Sequence, residues 1–147
     1  MPDRPVSYVL DASVVVRWFL PDQDASEHAE RLLSLVLAGD IVAFAPRNLV
    51  HEFCGVIAKK FREKHKPVDE AVDAFRAFVR LPIRYEESDG LIESAVRLSF
   101  LHDKTFYDMY YFAVGEHQGV PVCTADEQSV AGVGPGFPRY VLLRNLV

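Results

Sequence analysis

Val6-Ser7-Tyr8-Val9-Leu10-Asp11-Ala12-Ser13-Val14-Val15-Val16 carries the reading of the fold. The run 6–10 is apolar without clean alternation, an aspartate ends it, and a helical stretch follows. Such a run marks a strand covered on both faces, as in a parallel sheet. Similar runs lie at 41–45, 120–124 and 140–143, with a weaker one near 83–86. Helical patterns fill the gaps. Residues 25–38 place Ala29, Leu32, Leu33 and Val36 on one face. Residues 69–80 do the same with Ala71, Val72, Phe75, Phe78 and Val79, and 89–101 with Leu91, Ala95, Leu98 and Leu101. Pro46 is suited to open a helix running through about 64, and Pro67 the next one. Strand–helix alternation predicts an α/β layered domain with right-handed crossovers. The consecutive helices at 47–64 and 68–80 read as an inserted helical hairpin.

The 147 residues, half of them hydrophobic, suffice for one globular domain with a proper core, and 1–147 is read as a single unit. A net charge of −5 excludes a basic nucleic-acid coating protein, so any nucleic-acid contact needs a local patch or a bound cation. Cys54 and Cys123 sit far apart in apolar surroundings and read as two buried core thiols. The start, Met1-Pro2-Asp3-Arg4-Pro5, lacks a basic stretch followed by an apolar segment. No stretch approaches the roughly 20 apolar residues of a membrane span. A soluble cytoplasmic protein is expected.

Four carboxylates stand out. Asp11 ends Tyr8-Val9-Leu10, and Asp126 ends Val120-Pro121-Val122-Cys123-Thr124-Ala125. Glu52 and Asp108 lie in apolar helical patterns, Leu49-Val50-His51-Glu52-Phe53 and Phe106-Tyr107-Asp108-Met109-Tyr110. Each has a structural reading. Asp11 and Asp126 fit helix caps or turns, and Thr105 with Asp108 three residues on fits a capping arrangement. Glu52 has the weakest structural explanation, since it lies deeper in its helix. Taken together, the two acids at the carboxyl ends of parallel strands occupy the edge where open α/β sheets bind ligands. Gathered carboxylates raise one another's pKa values, and a divalent cation with hard oxygen ligands relieves that conflict.

Val9-Leu10-Asp11-Ala12-Ser13 with Arg17-Trp18-Phe19-Leu20-Pro21, then Glu52, Tyr107-Asp108-Met109-Tyr110-Tyr111 and Thr124-Ala125-Asp126 resemble the PIN-domain family. The nearest branch is the VapC toxins of toxin–antitoxin pairs. The resemblance runs in order along nearly the whole chain. It implies a three-layer α/β/α fold around a parallel sheet and a Mg²⁺- or Mn²⁺-dependent endoribonuclease leaving a 5′-phosphate and a 3′-hydroxyl. The family's four acidic positions fall on Asp11, Glu52, Asp108 and Asp126, with Ser13, Arg17 and Thr105 as supporting residues. Asp11 and Asp108 rank as inner ligands, Glu52 and Asp126 as completing the cage or holding metal-bound waters. The resemblance also implies an RNA substrate, a homodimer and a small antitoxin whose tail reaches the acidic site.

Lys59-Lys60-Phe61-Arg62-Glu63-Lys64-His65-Lys66 is the one dense basic segment. Cations suit a helix C-terminus, and an RNA-backbone contact is the competing reading. His28, His51, His65, His102 and His117 lack zinc-like spacing and read as surface residues. Gly132-Val133-Gly134-Pro135-Gly136 is a loop without the Lys-Ser/Thr ending of a phosphate-binding loop. Trp18, Phe19 and Leu20 fit either core or an exposed partner patch. Three other functions compete with a toxin: a housekeeping RNA-processing nuclease, a non-catalytic binding module, and an aspartyl-phosphate phosphotransferase. The last is disfavoured because Asp11-Ala12-Ser13 lacks a second aspartate two residues on.

Overall fold

The computed structural model describes residues 5–21 and 23–146; the opening segment Met1 to Arg4, used above to judge targeting, lies outside the described residues. Five strands form one parallel sheet in the order β3-β2-β1-β4-β5. They are β1 (Val6–Leu10), β2 (Ile41–Pro46), β3 (Ile83–Glu86), β4 (Val122–Thr124) and β5 (Tyr140–Leu142). Among the described residues, six α-helices flank it in three-layer α/β/α fashion: α1 (Ala12–Val15), α2 (Ser26–Ala38), α3 (Leu49–Glu63), α4 (Val68–Phe78), α5 (Asp89–His102) and α6 (Phe106–Gln118). A short 3₁₀ segment, Val16–Trp18, continues α1.

The sheet grows outward in both directions from β1, which pairs with β2 on one side and β4 on the other. Leu10 stands opposite Cys123 there, and the Asp11 amide donates to the Cys123 carbonyl at 3.1 Å. The reversal of strand order between β1 and β4 opens a crevice at their carboxyl ends. Helix α6 packs against β1, β2 and β4. Every residue from Met109 to Gly115 is buried, so the middle of this helix is core on all sides. Gly115 makes the close packing possible: a Cβ there would meet the Val120 carbonyl oxygen at 2.8 Å. Gly119 then ends α6 with φ +69°, a conformation glycine adopts without strain.

The helical hairpin α3–α4 follows β2 as the sequence suggests, and aromatic packing anchors it. Phe53 stacks on Phe78 with centroids 4.1 Å apart and receives the edge of Phe19 at 5.0 Å. Truncating Phe53 to Ala would cost about 3–5 kcal/mol. Several expectations need correction. Pro46 closes β2 rather than opening a helix, because its carbonyl side still pairs in the sheet while α3 begins at Leu49. Helix α4 buries Ala74 and Phe78, whereas Val72, Phe75 and Val79 stay at the surface. Leu101 is likewise exposed beyond the last buried turn of α5. Leu20 is buried, and Trp18 and Phe19 pack on the core, with the Trp18 indole donating to the Ala29 carbonyl at 2.8 Å. Cys123 is buried but Cys54 only half-buried, and both are free thiols. His51, His65 and His117 are exposed, while His28 and His102 are half-buried. No helix among the described residues is long and apolar enough to cross a membrane.

Candidate functional site

Asp11 leaves β1 at the crevice. It occupies the cap position of α1, yet its side chain makes no capping bond. Its Oδ2 instead accepts from the Ser13 hydroxyl at 2.9 Å and the Thr124 hydroxyl at 2.8 Å. Those hydroxyls also accept from the bend that follows β4: Ser13 Oγ from the Ala125 amide at 3.0 Å, Thr124 Oγ1 from the Asp126 amide at 3.1 Å. Two strand ends are thus tied together through one carboxylate. Burial raises the Asp11 pKa above the ordinary carboxylate value, against the lowering effect of Thr124, Ser13 and the Ala12 amide, and the Asp108 charge adds to the rise.

Asp108 comes from the first turn of α6. Thr105 caps this helix, its hydroxyl accepting from the Asp108 amide at 3.2 Å, as the capping pattern predicts. The cap uses the Asp108 backbone, so its carboxylate remains available. Asp11 and Asp108 line one small cavity together with Tyr111, Met109, Thr124 and Ser129. Its volume, about 10 Å³, matches a single water or ion.

Glu52 enters from α3. Its Oε1 accepts from the Asn48 side-chain amide at 2.7 Å, one turn earlier on the same helix. The carboxyl is half-buried and pushed up to about 7, first by desolvation and then by the Asp11 charge. Tyr111 and Asn48 oppose that rise. Asp11, Glu52 and Asp108 therefore feel one another electrostatically.

Asp126 stands apart. It is exposed, and its Oδ1 accepts from the Ser129 amide at 3.3 Å while Ser129 returns its hydroxyl to the Asp126 carbonyl at 2.7 Å. It faces a neighbouring depression shared with Ser13 and Arg17. Arg17 is held there by the Ser13 carbonyl at 2.6 Å and by Asp24 at 2.7 Å. The basic stretch lies elsewhere: Arg62 is ten positions beyond Glu52 on α3, roughly 15 Å along the helix.

Among the described residues, no three His, Cys, Asp or Glu side chains are gathered closely enough to hold a metal ion by themselves. Magnesium does not require such a cage. It is commonly held by one or two carboxylates, with water and substrate phosphate completing the shell. A pair of hard oxygen donors on one small cavity, with two further buried oxygens left unbonded nearby (Asn48 Oδ1 and the Tyr111 hydroxyl), fits that mode. It suits zinc less well, since zinc sites are mostly built from thiolate and imidazole donors.

The PIN-domain model matches residues 8–131 of the sequence. The chain belongs to the PIN-domain family. Solved structures of the same fold include Mycobacterium tuberculosis VapC20, described as a sarcin-ricin loop cleaving toxin, at 19% identity and TM-score 0.62, covering 89% of this chain and 99% of that one. A toxin–antitoxin complex from Klebsiella pneumoniae aligns at 14% identity and TM-score 0.59, covering 92% and 97%. Rickettsia felis VapBC2 bound to promoter DNA aligns at 11% identity and TM-score 0.65, covering 93% and 98%. At these identities the likeness establishes fold. No curated protein matches the sequence.

Within this PIN fold, sequence reading missed Thr124, Asn48 and Tyr111. Thr124 carried a signal, being a polar residue in an otherwise apolar strand run. Asn48 sits four residues before Glu52, a spacing that brings two side chains together on a helix. Tyr111 stands in a stretch that resembles the family, yet carried no signal of a site role, because an aromatic in an apolar helix reads as core.

Proposed function

We propose that this chain is a Mg²⁺- or Mn²⁺-dependent endoribonuclease acting as the toxin of a toxin–antitoxin pair. The supporting observation is Asp11. It is partly desolvated, held by two hydroxyls, released from capping, and shares a cavity with Asp108 beside Glu52. A carboxylate so placed costs stability unless a cation compensates it.

Asp11 and Asp108 would hold the ion, which when bound supplies charge relief at the phosphate and acidifies water. Ser13 and Thr124 keep Asp11 oriented toward the cavity. Glu52, near enough to feel the Asp11 and Asp108 charges, would hold a water by hydrogen bond. Asp126, in the neighbouring depression, would act from outside the inner shell, through water. Arg17 would have to release the exposed Asp24 to reach a phosphate, an exchange of partners that costs little at the surface. The expected products are a 5′-phosphate and a 3′-hydroxyl.

A small antitoxin and a second copy of the chain are the proposed protein partners. Toxin–antitoxin complexes among the structures of this fold support the first. For the second, α5 offers Ile92, Val96 and Phe100 one turn apart, 38%, 44% and 86% exposed. The test of function is expression in a bacterial host, with RNA ends mapped across the transcriptome. Growth arrest with new 5′-phosphate ends, both absent for folded Asp11→Asn, is the expected result. Arrest and cleavage undiminished in that variant would overturn the reading.

A further inference from the structure

A cleft of about 390 Å³ opens between the amino-terminal turn of α2 and the carboxyl ends of β4 and β5. Its size lies in the lower range of small-ligand sites. Thr124 lines this cleft and also the Asp11–Asp108 cavity, so the two are neighbours across one side chain. The cleft shares Asp24, Ala125 and Glu127 with the depression that Arg17 and Asp126 line. A single strand with one phosphate at the cavity thus has room beside it for an adjoining nucleotide.

The lining suits a base. Ala125, Leu142 and Leu143 supply apolar surface for its flat faces. Glu127 stands three residues beyond β4 and Arg144 two residues beyond β5. Their side chains meet at 2.9 Å, about half exposed, and both line the cleft. An ion pair in that much water adds little stability, so it parts at small cost. Nor does the sheet need it, since β4 and β5 are already joined by their own ladder.

An ionised glutamate only accepts hydrogen bonds, and an arginine only donates them. Guanine matches that couple. Its N1–H and 2-amino group are adjacent donors for one carboxylate, and the O6 beside them accepts from a guanidinium. Adenine, cytosine and uracil have no two adjacent N–H donor groups on one edge. In single-stranded RNA these edges are free to be read.

We propose that this cleft binds one guanine base of the substrate RNA, beside the phosphate that is cut, with Glu127 and Arg144 bonded to its edge. They set specificity and take no part in the chemistry. The inference rests on the proposed ribonuclease reading and adds to it the base next to the cut.

The test is cleavage of a short single-stranded RNA library in Mn²⁺, with the cut sites sequenced. Wild type is compared with Glu127→Ala and Arg144→Ala, each checked by thermal unfolding. Wild type should show guanine at one fixed position beside the cut. In a defined substrate, inosine at that position, which lacks the 2-amino group, should lower kcat/KM about tenfold. Glu127→Ala should cut the guanine and inosine substrates equally, and Arg144→Ala should weaken the guanine preference by a similar factor. Both variants should cut guanine-free RNA as fast as wild type. Cutting by wild type with no guanine preference beside the cut would overturn the proposal. So would a preference that persists in both folded variants, which would leave the cleft to another occupant such as an antitoxin tail. No cutting of any RNA by wild type would overturn the ribonuclease reading and this proposal with it, a failure distinct from the other two.

Discussion

Asp11 follows β1 and Asp126 follows β4, on neighbouring parallel strands that leave the sheet at one edge. Their carboxylates take opposite courses. Asp11 turns inward to two hydroxyls and leaves its own helix uncapped, while Asp126 stays exposed and closes a local turn with Ser129. Thr124 joins them, donating to the Asp11 side chain and accepting from the Asp126 amide. The difference teaches that position at a strand end does not suffice for a ligand role. A carboxylate that stays in water needs no cation, whereas one drawn out of water and held by hydroxyls on a single oxygen is poised for one.

The largest expected contrast is therefore between the two acids themselves. Asp11→Asn should lower cleavage at least about a hundredfold, since it removes several kcal/mol of charge compensation at the reacting phosphate. Asp126→Asn should lower it by about tenfold or less, as expected for a group outside the inner shell. Equal losses, with both variants folded, would erase the distinction.

Next in size is the residue shared by both ends. Thr124→Val should cost about 1–3 kcal/mol in denaturant unfolding, because the buried Thr124 hydroxyl is lost as acceptor for the Asp126 amide and as donor to Asp11. Ser13→Ala breaks the link from Asp11 to Ala125 and should cost less, since Ser13 is only half-buried.

A smaller effect follows from pH. Glu52 has an ordinary value of 4.5 and is raised to about 7 in the fold, and Asp11 is raised as well. The folded state thus binds protons that the unfolded chain has already lost. Metal-free stability is full below about pH 4.5 and declines as pH rises through about 7. Discounted for the solvent reaching Glu52, the decline is roughly 1–2 kcal/mol. Urea midpoints at pH 5 and 7.5 in chelator should show it, and saturating Mn²⁺ should remove it. A midpoint that rises with pH in chelator would contradict the desolvated pair.

Least affected should be the region remote from both strand ends. Neutralising Lys59, Lys60 and Arg62 should leave Mn²⁺ affinity unchanged. If they contact RNA, each lost phosphate contact lowers the slope of log binding against log salt by about 1. An unchanged slope removes this face from the RNA path.

How much of this was readable in the sequence differs between sheet and site. Strand runs such as 6–10 and 41–45 were clear because burial on both faces leaves a continuous apolar signal. Pro46 misled because proline suits both a helix start and a strand end, and only pairing with β3 decides between them. The face of α4 misled because its apolar residues outnumber those the core can cover. In the site, Asp11, Glu52 and Asp108 could be nominated one by one, and the Thr105 cap could be read from spacing alone. Their mutual approach, and the separate stance of Asp126, depend on how β1, β4, α3 and α6 meet across long stretches of chain. Tyr111 was silent for the same reason. Its ring belongs to the core, and only the fold shows that the residue also lines the cavity shared by Asp11 and Asp108.

The central claim is that the pocket beside β1 cuts RNA with a divalent cation. Purified protein incubated with defined RNA, first in chelator, then with Mn²⁺, then with chelator restored, tests it directly. Cleavage confined to the Mn²⁺ interval and leaving 5′-phosphate ends is the predicted result; cutting that continues unchanged in chelator would contradict it.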